Sequence, residues 1–222
     1  MAYTLYEFED AKTCELALAK SVVNRIKTQE YTKLALSGGK SPLGFFRCLR
    51  ASELKWDQIY ISLVDERVVD TNDPQSNTKF IKDEFLQDKA SKANFIPLLK
   101  EANLEDKALL DFANEHYIKP QLAVLGMGLD GHCASLFADS KGFDEALISE
   151  QDIVLIYPKE AEFKRLSMSL AALEKCQRLF LLIAGSQKKE VFDRACLKPD
   201  KSLPISLILH SRKVHCEVYY SK

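Results

Sequence analysis

Asp130 and His132 stand two residues apart in Gly126-Met-Gly-Leu-Asp-Gly-His132, directly after the apolar run Leu122-Ala-Val-Leu125. Histidine is the side chain best suited to moving a proton near neutral pH, and a neighbouring acid can orient it. A glycine-flanked loop suits exposure better than core packing, so His132 is the candidate base. Three further segments carry groups that suit an anion. Leu36-Ser-Gly-Gly-Lys-Ser-Pro42 follows an apolar run, and its glycines let backbone approach a ligand closely. Ser41-Pro42 reads as a helix cap and first residue, and amides at a helix start attract anions. Val64-Asp-Glu-Arg67 offers the fixed fork of Arg67, with Asp65 and Glu66 placed to keep it charged and aimed. Lys164-Arg165 and Lys188-Lys189 are cations that alone read as surface charges. Ser186 reads as the cap of the helix that carries Lys188.

These four segments need elements to hold them, and each is read as beginning where a strand ends. Apolar runs of strand length recur at 33–36, 59–64, 122–125, 153–157, 179–184 and 214–219. Several are too continuously apolar for a strand with one wet face, which predicts a sheet covered on both sides. Between them lie helical stripes: Leu18, Val22 and Ile26; Phe80, Ile81 and Phe85; Leu109, Leu110, Phe112 and Tyr117; Val191, Phe192 and Ala195. Strands alternating with helices predict a mostly parallel α/β sheet. No linker, repeat or low-complexity tract divides the 222 residues, so residues 1–222 are expected to form one domain.

Composition narrows the classes. A formal net charge of −1 gives no basic field for nucleic acid and no anchor for an anionic membrane, so neither is expected as a partner. No apolar run reaches the roughly 18 residues of a membrane span. The N-terminus lacks the pattern of a signal peptide, and Cys14, Cys48, Cys133, Cys176, Cys196 and Cys216 are scattered singly. Reduced thiols in a cytoplasmic protein are the expectation.

The chemistry narrows too. Gly126, Gly128 and Gly131 fit G-x-G-x-x-G, but the next apolar run ends in Tyr157-Pro158 without the acid a dinucleotide site wants. The glycine loop at 38–39 lacks the spacing of a nucleotide-binding loop. No G-x-S-x-G elbow supports a serine nucleophile, and no His or Cys cluster suggests zinc. A histidine base with several cations fits water attacking, or a proton leaving, a small phosphorylated molecule.

Taken together, Ser37-Gly-Gly-Lys-Ser-Pro42, Asp65-Glu-Arg-Val-Val69 with Asp73 and Ser76-Asn77, Gly126-Met-Gly-Leu-Asp-Gly-His-Cys-Ala-Ser-Leu-Phe137, Arg165-Leu-Ser-Met-Ser-Leu170 and Gly185-Ser-Gln-Lys188 resemble the 6-phosphogluconolactonase family. The resemblance implies a three-layer Rossmann-like α/β fold, with a mostly parallel sheet and helices on both faces. It implies hydrolysis of 6-phospho-D-glucono-1,5-lactone, with His132 as general base, Asp130 orienting it, and no metal or cofactor. It implies Gly38, Gly39, Arg165 and Lys188 on the substrate phosphate, with Lys40 a further candidate in the same loop. Arg67 would lie near the phosphate or the developing oxyanion. A sugar-phosphate small molecule is the implied partner, and a monomer or weak homo-oligomer the expected state. The sibling glucosamine-6-phosphate deaminases and isomerases share the glycine loop and Asp-Gly-His. Their histidine loop typically runs into Ala-Phe-Asn-Glu-Pro, whereas here it reads Ala134-Ser-Leu-Phe137. A deaminase-type enzyme and a non-catalytic sugar-phosphate sensor are the alternatives. Departures from the family pattern are Lys40, where Ser or Thr is usual, Ala138, where Pro is common, and a short tail after Pro199.

Overall fold

A computed structural model describes residues 3–30, 32–39 and 41–222. Among these, the chain forms strands β1 (Tyr3–Phe8), β2 (Lys33–Leu36), β3 (Tyr60–Leu63), β4 (Asp65–Arg67), β5 (Asn94–Phe95), β6 (Leu122–Leu125), β7 (Ile153–Ile156), β8 (Arg165–Met168), β9 (Arg178–Ala184) and β10 (Cys216–Ser221). The helices are α1 (Ala11–Gln29), α2 (Leu43–Arg50), α3 (Asn77–Glu84), α4 (Asp106–Glu115), α5 (Phe143–Ile148), α6 (Leu170–Glu174), α7 (Ser186–Ala195) and α8 (Ile205–Leu209). Seven strands make one sheet in the order β1-β10-β9-β6-β2-β3-β5, every neighbouring pair parallel. All four residues of β6 are buried, so both faces of the sheet's centre are covered. This is the mostly parallel α/β architecture that the alternating pattern predicts.

The helices form where their apolar faces find this sheet and one another. Asp10 caps α1, accepting from the Thr13 N–H at 2.8 Å, and the helix buries Cys14, Leu18 and Val22 at four-residue spacing. The α2 residues Phe45, Phe46 and Leu49 are fully buried, and the Phe46 ring lies 5.2 Å from that of Phe85. That aromatic cluster fixes the helix that follows the glycine loop.

Several expectations are corrected. The run at 153–157 does not join the main sheet: β7 pairs antiparallel with β8, and β8 with β4, in a separate three-stranded sheet. Its unbroken apolar sequence arises because α4 and α5 pack against it. Arg165 does not follow a strand but begins β8, where it is buried. Ser41 does not cap α2; Pro42 takes that position and its carbonyl accepts from the Phe46 N–H at 2.8 Å. Ser186 is the first residue of α7 rather than its cap, which is Gly185. Tyr117 lies beyond the end of α4. No helix among the described residues is long and apolar enough to cross a membrane.

Candidate active site

From β2 the chain passes to β3 and β5 on one side, while β6, β9 and β10 fill the other. The order therefore reverses between β2 and β6, and ligands of open α/β sheets bind at such switch points, beyond the carboxyl ends of the strands. Ser37 joins the two loops there. Its hydroxyl donates to the Val124 carbonyl at 3.0 Å and accepts from the Gly126 N–H at 3.3 Å. Over this junction opens a cleft of about 280 Å³. Gly38, Arg67, His132 and Lys188 line it together with Ser37, Ser41, Asp65, Asn77, Met127, Ala134 and Leu182.

The loop after β6 is built around the histidine. Gly128 donates to the His132 carbonyl at 3.0 Å, and Gly131, at φ +78°, donates back to the Gly128 carbonyl at 3.1 Å. The Gly131 carbonyl accepts from the Ile205 N–H at 2.9 Å, which pins the loop to the start of α8. Asp130 Oδ1 lies 2.6 Å from His132 Nδ1 and also accepts from the His132 main-chain N–H at 3.2 Å. Burial pushes the Asp130 carboxyl up, but the hydrogen bonds and charge of His132 outweigh it and hold the group below its ordinary value. A carboxylate at Nδ1 selects the tautomer with the proton there and leaves Nε2 with its lone pair. The Phe137 ring, 4.1 Å from the imidazole, limits rotation. Gly128 is required for this geometry, because a Cβ there would lie 2.2 Å from His132 Nδ1 and 2.4 Å from Asp130 Oδ1. Ala134, two residues on, holds a left-handed φ of +47°, a conformation costing a non-glycine residue about 1–2 kcal/mol.

The cations come from elsewhere. Arg67 faces Arg165 directly across the β4–β8 pair, with Asp65 opposite Ser167. Alternation along a strand puts all four on one face of the small sheet and Glu66 on the other. Glu66, fully buried, takes the main-chain N–H groups of Arg67, Asn77 and Thr78 at 2.7, 2.7 and 2.6 Å. It therefore anchors the N-terminus of α3 and does not aim the Arg67 guanidinium, contrary to the expectation. Arg67 bonds the Gln75 carbonyl instead. Arg165 is only 9% exposed and its Nε has no partner among the described residues. Burial and the nearby Arg67 charge lower its pKa. Burial alone lowers that of Lys188, which stands in the first turn of α7. Among the described residues, none of these three cations has a carboxylate within 4 Å. Lys164 and Lys189 do, at 2.8 Å from Asp106 and 2.7 Å from Asp193, and are the surface cations their sequence suggests. Like charges opposed across strands repel, so Arg67 and Arg165 make sense beside an anion.

Gly39, at φ +88°, turns the loop after β2 but does not line the cleft. Lys40 lies outside the described residues. The start of α2 is not a free anion site, since the Glu15 carboxyl lies against the Gly44 N–H. Sequence reasoning did not single out Ser37, Asn77 or Leu182 for the cleft. Ser37 and Asn77 did carry a signal, since both stand in the motifs that resemble the family, whereas Leu182 carried none beyond its apolar run. No group of three or more His, Cys, Asp or Glu side chains converges as a metal site among the described residues.

The family model for glucosamine-6-phosphate isomerases and 6-phosphogluconolactonases matches residues 9–216. The chain belongs to that family. A 6-phosphogluconolactonase of Helicobacter pylori (strain ATCC 700392 / 26695) is 47% identical over 229 residues, covering all of both chains. One from Neisseria meningitidis serogroup A (strain DSM 15465 / Z2491) is 36% identical over 99% of this chain and all of its own. The crystal structure of a 6-phosphogluconolactonase from Shewanella baltica OS155 superposes with a TM-score of 0.92 at 29% identity, covering 99% of this chain and 98% of that one. The parallel sheet with its flanking helices is thus the family fold.

Proposed function

We propose that the chain hydrolyses 6-phospho-D-glucono-1,5-lactone to 6-phospho-D-gluconate. The observation that carries this reading is the Asp130–His132 pair, 2.6 Å apart, at a cleft beside three cations that, among the described residues, have no carboxylate within 4 Å. Full-length relatives bearing the lactonase name support it. Water held at His132 Nε2 attacks the lactone carbonyl carbon and gives its proton to the imidazole. The ring C–O bond then breaks, and the same proton passes from Nε2 to the departing ring oxygen. Asp130 keeps the proton on Nδ1 and stabilises the imidazolium while it exists, as the carboxylate of a hydrolase triad does. A lactone is an activated ester, so a base worth typically 10²–10⁴-fold together with fixed charges suffices.

Lys188 and Arg165 are assigned to the phosphate, with Gly38, which lines the cleft, beside it, and Gly39 and Lys40 further candidates from the same loop. Arg67 serves the phosphate or the oxyanion. The doubly charged substrate end compensates cations that the protein leaves bare. We read residues 1–222 as one domain, working in the cytoplasm where such charged substrates are retained. The test follows freshly made 6-phosphogluconolactone with and without protein, with chelator present, beside His132→Ala. Acceleration that survives chelator and is lost in the variant is expected. No acceleration over spontaneous hydrolysis refutes the reading, and ammonia released from glucosamine-6-phosphate replaces it with the deaminase.

A further inference from the structure

We propose that Asn77 is a positioning residue that sets the glycine loop against the Asp65–Arg67 strand, and that residue 38 is glycine on its account. Asn77 is 2% exposed and reaches the cleft from the first turn of α3. Its Nδ2 donates to the Asp65 carbonyl at 2.9 Å and approaches Asp65 Oδ1 at 3.5 Å, while its main-chain N–H is held by Glu66 at 2.7 Å. Both neighbours of Nδ2 are acceptors, so the amide can sit only one way round, with Oδ1 on the opposite side. That Oδ1 is buried and has no donor among the described residues. It presses instead on Gly38, where a Cβ would lie 2.0 Å from Oδ1, 2.4 Å from Cγ and 3.1 Å from Cβ of Asn77.

Gly38 is not among the residues with positive φ, whereas its neighbour Gly39 is at +88°. Backbone freedom therefore explains glycine at 39 and not at 38. What forbids a side chain at 38 is the Asn77 amide, and the amide cannot retreat while Asp65 and Glu66 hold it. One rigid side chain thus links the loop after β2 to the strand that carries Asp65 and Arg67. A shift of one must move the other, and substrate affinity should register it.

The inference rests on the sugar-phosphate reading only for the choice of ligand. The experiment is a double-variant cycle of Gly38→Ala and Asn77→Ala, read by KM and kcat on the lactone and by calorimetric binding of 6-phosphogluconate. Gly38→Ala alone should weaken binding about tenfold or more, on the scale of an ångström-sized displacement in a site. Adding Asn77→Ala should return it to within about threefold of Asn77→Ala alone, because the obstructing amide is gone. Two merely destabilising changes would instead compound, and a double variant as weak as the product of the singles overturns the proposal. Should Gly38→Ala fail to fold, Asn77→Asp keeps the contact with Gly38 but sets an anion against the Asp65 oxygens. Weaker 6-phosphogluconate binding is expected there, and unchanged binding overturns the proposal. If the wild type binds 6-phosphogluconate and the cycle shows rescue without any lactone turnover, the activity reading fails and the coupling stands.

Discussion

Replacing Gly128 by Ala isolates the geometry of the base from its presence. The glycine is not at a positive φ, so alanine suits the backbone there, and both hydrogen bonds that the residue makes, to His132 and from Gly131, use main-chain atoms. The added methyl is the only disturbance. It would lie 2.2 Å from His132 Nδ1, 2.3 Å from Cε1 and 2.4 Å from Asp130 Oδ1. Ordinary contact is near 3.5–4 Å, so the imidazole must retreat by about 1 Å or turn away from the carboxylate. Phe137, 4.1 Å away between ring centres, resists the turn. A displacement of about 1 Å can cost roughly 10²-fold, somewhat less than the 10²–10⁴-fold at stake in the base as a whole. We expect Gly128→Ala to lower kcat about 10²-fold, with KM changed less than threefold, since the cations are untouched. Stopped assays with fresh lactone, alongside a melting curve, read this directly. If Gly128→Ala retains kcat within about threefold of wild type while His132→Ala loses it, the requirement for the Asp130–His132 geometry is refuted.

Three further outcomes are expected. The base works only as neutral imidazole, so kcat/KM should fall on the acid side of neutrality; a flat profile from pH 5 to 8 would exclude His132 as base. Lys188→Met should raise KM about tenfold or more and at the same time raise Tm. Burial lowers the Lys188 pKa, so the folded state binds its proton less readily than the unfolded chain. The resulting destabilisation is fully present at neutral pH and is relieved only as pH climbs through the folded pKa towards 10.5; a lower Tm in the variant would contradict this. Glu66→Gln places an amide N–H₂ against main-chain N–H donors now bonded at 2.6–2.7 Å and should cost about 2–3 kcal/mol in denaturant unfolding. An unchanged unfolding midpoint would mean that Glu66 does not anchor α3.

Much of the central sheet could be read from the chain because its strands are buried on both faces. β2 and β6 are short apolar runs of the kind that a strand covered on both faces needs. The same rule misled at 153–156, since an apolar run records that a strand is covered and not which sheet covers it. β4 and β8 were invisible for a different reason. Asp-Glu-Arg contains no apolar residue, and Arg-Leu-Ser-Met alternates over only four residues, because one face of that pair carries Asp65, Arg67, Arg165 and Ser167 while the other buries Glu66, as a helix anchor, against Leu166. Propensity and pattern fail there because the residues were chosen for charge. The proposed base stood out in the sequence because glycines crowd around it, and at one of them, Gly128, a Cβ would collide with the imidazole. The role of Asn77 was not legible, since it depends on a contact between residues 38 and 77 that no local pattern records.

The division of labour between the two sheets bears on how the cleft selects its ligand. The proton-moving pair stands at the carboxyl edge of the parallel sheet, pinned through Gly131 to α8. Arg67 and Arg165 stand on the antiparallel sheet, and Lys188 opens α7 just after β9. These supports are tied together: Val64 alone separates β3 from β4, its N–H bonded to the Leu36 carbonyl and its carbonyl to the Met168 N–H, at 3.1 and 2.9 Å. Ser135 links the histidine loop to the small sheet, its N–H donating to the Ser167 hydroxyl at 3.1 Å and its hydroxyl to the Asp65 carboxylate. A ligand that satisfies both must carry its anion and its electrophilic carbon a fixed distance apart. On the proposed assignment, a simple ester lacking the anion would meet the base but leave Arg165 and Lys188 bare, and would forgo their binding free energy. Selectivity for a phosphorylated lactone over its unphosphorylated counterpart then follows from rigid spacing together with uncompensated charge. Because each charge-assisted hydrogen bond is worth about 1.5–3 kcal/mol, two of them give a preference on the order of 10²–10⁴-fold in kcat/KM, which parallel assays on the two lactones would measure.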